Sequence, residues 1–64
     1  MTVNGDAREV TEGTTVARLV DGLGGQAKGT AVAVNEEVIP RSRWHDAELA
    51  PGDRVEVLTA SRGG

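Results

Sequence analysis

Few residues of this chain could do chemistry, and most of those are poorly placed for it. The single histidine, His45, stands beside Asp46, the two residue types that elsewhere form a general base and its orienting carboxylate. Adjacent residues seldom aim their side chains at one another, and no serine or cysteine is placed as a nucleophile, so both read as solvated loop residues. Glu36 and Glu37 are neighbours at a predicted strand end and face opposite sides, the wrong arrangement for paired acid and base work. Residues 22–27, GLGGQA, match the dinucleotide pattern G-x-G-x-x-A by letter. That pattern works where a strand leads into a helix whose first amides meet a pyrophosphate. Here it follows a helix and leads to a strand, so it reads as a helix-terminating loop. Lys28 has no Walker spacing around it. With one histidine and no cysteine, thiolate and multi-histidine metal sites and a thiol nucleophile are excluded.

The stretch TASRGG at residues 59–64 remains. A glycine pair has no Cβ atoms, so it can thread a narrow channel and take whatever φ and ψ an active site imposes. Residues 61–64 lie beyond the last predicted strand, and at about 3.4 Å each they give the Gly64 carboxylate a reach of roughly 13 Å. A carboxylate is an anion and a poor electrophile. It becomes an acyl donor once activated, and acyl adenylation by another enzyme with ATP achieves that. The expectation is a substrate and carrier, not a catalyst.

The elements that must position such a tail are legible in the pattern. Asn4-Gly5 favours a type I′ turn, predicting a hairpin between residues 1–3 and a return strand over residues 7–10. Val16, Leu19, Val20 and Leu23 fall at i, i+3, i+4 and i+7, one face of a short helix, capped by Thr14 or Thr15 and ended by Gly22, Gly24 and Gly25. Residues 30–34, TAVAV, alternate at the strand period, with Val32 and Val34 inward and Ala31 and Ala33 outward. Asn35-Glu36 turns the chain into Val38-Ile39, and Pro40 ends that strand. Residues 41–49 read as a short helical turn or loop over Trp44 and Leu49. Pro51-Gly52 fits a type II turn. The last strand, residues 54–60, points Val55 and Val57 inward and Leu58 and Ala60 outward. Strand, strand, helix, strand, short strand, strand predicts an α+β fold of the β-grasp kind. Its mixed sheet has four to five strands, with one main helix across it. Residues 1–60 form the single predicted domain and residues 61–64 a flexible C-terminal tail.

Sixty-four residues lie near the lower limit at which one apolar core holds a fold unaided. Ten acidic residues against seven basic ones give a net charge of -3, and Trp44 is the sole aromatic. That charge has the wrong sign for phosphate contacts and leaves almost nothing to stack on bases, so nucleic acid is not an expected partner. No apolar run is long enough to cross a bilayer, and the start MTVNGD has neither a basic nor an apolar leader segment. The expectation is a soluble, cytoplasmic protein, monomeric when free.

Val3-Asn4-Gly5, GTTVARLV at residues 13–20, AVAVNEEVIPRSRW at 31–44, PGDRVEVL at 51–58 and the terminal Gly63-Gly64 occur in order over nearly the whole chain. Together they resemble the ThiS family of sulfur carriers in thiamin biosynthesis, within the ubiquitin-like ThiS/MoaD superfamily. The resemblance implies that Gly64 is adenylated by a ThiF-like adenylating enzyme using ATP. The covalent acyl-adenylate is then converted to a thiocarboxylate, with sulfur drawn indirectly from a cysteine desulfurase and donated to thiazole synthase. No bound cofactor is implied. Arg62, Gly63 and Gly64 would thread into partner active sites, and Ala33, Leu58 and Ala60 would form the docking surface. Arg62 departs from the glutamine or small residue common before the glycines. Two alternatives stay open on the residues: a related carrier for molybdopterin, cysteine or tRNA thiolation, and a ubiquitin-like binding module or protein modifier.

Overall fold

The turn at Asn4-Gly5 starts the fold. In the computed structural model, which describes residues 1–24 and 29–59, Asn4 has φ 53° and Gly5 φ 88°, both positive as a type I′ turn requires. It joins β1 (Thr2–Val3) to β2 (Asp6–Ala7), pairing Thr2 with Ala7 and Val3 with Asp6. The return strand is thus shorter and earlier than the predicted residues 7–10. The turn fixes the register, and beyond Ala7 Arg8 donates its N–H to the Met1 carbonyl at 2.8 Å. Val10 leaves the sheet and packs against the core.

Helix α1 (Val16–Gly22) begins at Thr15, whose extended backbone and hydroxyl, accepting from Arg18 N–H at 3.3 Å, make the N-cap. Its free first-turn amides are satisfied from across the molecule. Val16 N–H donates to the Ala47 carbonyl at 2.9 Å and Ala17 N–H to that of Trp44 at 3.1 Å. This ties the segment 41–49 to the start of the helix. Val16, Leu19 and Val20 are buried at the predicted spacing. Leu23 is 37% exposed, contrary to its predicted place on the inner face. The helix ends one residue earlier, at Gly22, so Leu23 has left the helical stripe, and Gly24 takes φ 78°. Gly25 lies outside the described residues.

Three further strands follow: β3 (Thr30–Val34), β4 (Glu37–Ile39) and β5 (Arg54–Thr59). The sheet order is β2-β1-β5-β3-β4, with β1 and β5 parallel and the other pairs antiparallel. This is the predicted mixed five-stranded β-grasp sheet: two hairpins linked through α1, with β5 inserted between them. Val3, Val32 and Val55 from the sheet meet Val16, Leu19 and Val20 from α1, and Trp44 and Leu49 close the core. Trp44, 4% exposed, also donates its Nε1–H to the Ile39 carbonyl at 2.9 Å, satisfying the polar edge of the ring. Gly52 has φ 91° and Asp53 N–H donates to the Ala50 carbonyl at 3.1 Å, the predicted type II turn.

Candidate functional site

Strand β5 leads directly into the C-terminal segment, and two asparagines grip it from opposite sides. Asn4 donates its backbone N–H to the Val55 carbonyl at 2.9 Å. Its side-chain amide then reaches one step further, Oδ1 accepting from Val57 N–H at 2.8 Å and Nδ2 donating to the Val57 carbonyl at 3.2 Å. The amide thereby continues the parallel ladder past the point where β1 turns away. Asn35, on the β3 side, donates its N–H to the Arg54 carbonyl at 2.7 Å and accepts from Arg54 N–H at 2.9 Å. Its Nδ2 donates to Asp53 Oδ1 at 3.1 Å, while Asp53 Oδ2 accepts from Ala50 N–H at 2.8 Å. Both asparagines have φ 53°, in the left-handed region that asparagine tolerates better than most residues. Two local turns thus become the fixings of β5.

The outward face of the sheet carries apolar residues beside the charged Arg54 and Glu56 of β5. Ala33 lies opposite Val38 on one side and Glu56 on the other, and Ala31 lies opposite Leu58. Leu58 is 69% exposed and Val38 70%. The structure therefore brings Ala33 and Leu58 to one face, as predicted. Ala60, Arg62, Gly63 and Gly64 lie outside the described residues. Sequence reasoning missed Val38, though the signal was available: with Ile39 directed to the core, strand alternation places Val38 outward. It also missed Glu56, the one acid among these apolar residues.

The other candidates stay apart. His45 and Asp46 are both exposed and make no hydrogen bond to each other. Glu36 sits in the turn at φ 72°, not on a strand, and bonds Arg54 Nη2 at 3.1 Å; Glu37 begins β4. Gly22 ends a helix, opposite in order to a dinucleotide loop, and residues 25–28 of that motif lie outside the described residues. A groove of about 1080 Å³ runs between α1 and the 3₁₀ turn Arg41–Arg43. Arg18, Asp21, Arg41, Ser42 and His45 line it with mixed charge, and they form no catalytic constellation. Among the described residues no group of three or more His, Cys, Asp or Glu side chains could hold a metal, and no helix is long and apolar enough to cross a membrane.

A mixed five-stranded sheet with one helix packed across it defines a β-grasp domain of the ubiquitin-like class. The chain belongs to the ThiS family, whose profile matches residues 1–64. A sulfur carrier protein ThiS from Thermus thermophilus is 37% identical over 62 residues, covering 97% of this chain and 95% of its own length. The crystal structure of a thiamine biosynthesis protein, ThiS, from Geobacter metallireducens superposes with a TM-score of 0.81 at 35% identity, covering 98% of this chain and 96% of that one. A thiazole synthase from Paramagnetospirillum magneticum is 30% identical over 64 residues, which is all of this chain but only 20% of that protein.

Proposed function

We infer that this chain is the sulfur carrier for the thiazole ring of thiamin, holding sulfur as a thiocarboxylate on Gly64. The observation that carries the reading is the family match across residues 1–64, ending in Gly63-Gly64. The protein is a co-substrate and not a catalyst. A ThiF-like adenylating enzyme activates it: the Gly64 carboxylate oxygen attacks the α-phosphorus of ATP and pyrophosphate leaves. Sulfur drawn ultimately from a cysteine desulfurase then displaces AMP, and the thiocarboxylate delivers it to thiazole synthase. That last partnership is supported by the relative in which a domain similar to this whole chain forms a fifth of a thiazole synthase. The face of Ala33, Leu58 and Ala60, with Val38 beside them, docks on that enzyme, the tail of residues 61–64 enters its active site, and the exchange takes place in the cytoplasm.

Intact mass of the protein from its own cells, before and after alkylation, tests this. The expected species is heavier than the free acid by the difference between one sulfur and one oxygen, and it alkylates, with fragment ions placing the change on Gly64. The chain has no cysteine, so no thiol imitates that signal. If ATP, the adenylating enzyme and a sulfur source never generate the species, the carrier reading is wrong.

A further inference from the structure

Glu56 is out of character with its surroundings. It lies on β5 directly opposite Ala33, which in turn faces Val38, and Leu58 stands two residues along on the same side of the strand. Among the described residues its carboxylate has no ion pair or hydrogen bond. The cation nearest along the strand, Arg54, is already held by Glu36, Nη2 to Oε2 at 3.1 Å. Beside Glu56 lies a shallow depression of about 480 Å³ between β1 and β5, walled by Thr2, Asn4, Gly5, Arg54 and Leu58 as well.

In the free protein water solvates this carboxylate. A wholly apolar surface laid over the patch would strip that water and leave an unpaired charge, which is strongly unfavourable. A second copy of the chain offers on this face only another free carboxylate and an arginine already engaged. A surface carrying an arginine or lysine meets every demand of the geometry: its aliphatic stem lies along Leu58, and its head fills the depression and bonds Glu56. We propose that Glu56 is a specificity determinant of the docking face, selecting a thiazole synthase surface that presents a cationic side chain within an apolar rim. The proposal rests on the reading above, that this face docks on thiazole synthase. A charge here also rejects apolar surfaces that would otherwise fit Val38 and Leu58.

The test is the dissociation constant for the thiazole synthase of the same organism, measured by calorimetry at low and high salt. The chains compared are the parent, Glu56→Leu, Glu56→Lys, Val38→Asp and Leu58→Asp, each first shown to be folded by burial of Trp44. If a cation faces Glu56, Glu56→Leu weakens binding about tenfold or more and flattens its salt dependence, and Glu56→Lys weakens it further. If none does, Glu56→Leu completes an apolar patch and binds as tightly as the parent or more tightly, which overturns the proposal. Val38→Asp and Leu58→Asp separate the two levels. Loss of binding in both, with Glu56→Leu unaffected, keeps the docking face and removes the role of Glu56. Parental binding in both removes the docking face itself.

Discussion

Removing the Asn4 side chain should loosen β5, and by an amount that distinguishes two roles for this residue. Asn4 supplies a tolerated left-handed backbone at φ 53° and two side-chain hydrogen bonds to Val57, at 2.8 and 3.2 Å. A net hydrogen bond contributes about 0.5–1.5 kcal/mol, and these are exposed to competing water, so together they are worth about 1–2 kcal/mol. Asn4→Gly keeps the turn, since glycine takes positive φ freely, but deletes both bonds. Asn4→Ala deletes the bonds and adds roughly 1–2 kcal/mol of left-handed strain, for a total of about 2–4 kcal/mol. A domain of 64 residues has roughly 3–10 kcal/mol in all, so the alanine variant should lose a large share of its stability. Urea unfolding followed by Trp44 fluorescence reads the global effect. Hydrogen exchange at Val57 N–H reads the local one, because that amide is the donor to Asn4 Oδ1. The order expected is parent, then glycine, then alanine, with Val57 protection lost in both variants. A glycine variant as stable as the parent, with Val57 still protected, would show that Asn4 serves the turn alone and that the grip on β5 is inert.

Three further outcomes follow from the same geometry. Glu36 occupies φ 72° without glycine's freedom, and its ion pair with Arg54 is exposed on both sides and so worth about 0–1 kcal/mol. Glu36→Gly should therefore raise the unfolding free energy read by urea titration by about 0.5 kcal/mol, whereas Glu36→Ala should lower it. Trp44→Phe leaves the Ile39 carbonyl without its 2.9 Å donor and should lose about 1–3 kcal/mol by thermal circular dichroism, with Trp44→Ala losing about 3–5 kcal/mol. Val38→Asp and Leu58→Asp, at 70% and 69% exposure, should change stability by no more than about 0.5 kcal/mol. Both should slow sulfur transfer in a reconstituted thiazole synthase assay by about tenfold or more.

The sequence was most readable where one local rule dominated. Asn4-Gly5 has few comfortable conformations other than a tight turn, and Val16, Leu19 and Val20 share a helix face by spacing alone, so both appear as expected. The short second strand was misjudged because its length depends on pairing and register, which local extended propensity does not set. Leu23 was misplaced because helix termination by glycine acted one residue sooner than the apolar period. The site was half legible. Alternation along β3 and β5 put Ala33 and Leu58 on one face, but the residues that lie opposite them, including Val38 and Glu56, are set by pairing between distant strands. The asparagine side chains were invisible for the same reason: each looks like an ordinary turn residue until β5 comes to lie beside it.

That long-range pairing fixes β5 through its neighbours and not through local turns alone. Here β5 lies between β1 and β3, Asn4 extends its pairing on one side and Asn35 fixes its start on the other. Loss of β5 would remove Val55, which is fully buried, so its local opening is coupled to the core and approaches the free energy of global unfolding. The same arrangement spends the inner face of β5 on Val55 and leaves its outer face, Glu56 and Leu58, free of intramolecular partners. The residues proposed for recognition therefore alternate along one strand with those that hold the core. A substitution at 55 should abolish folding and function together, whereas one at 56 or 58 should alter partner choice in a protein that still folds.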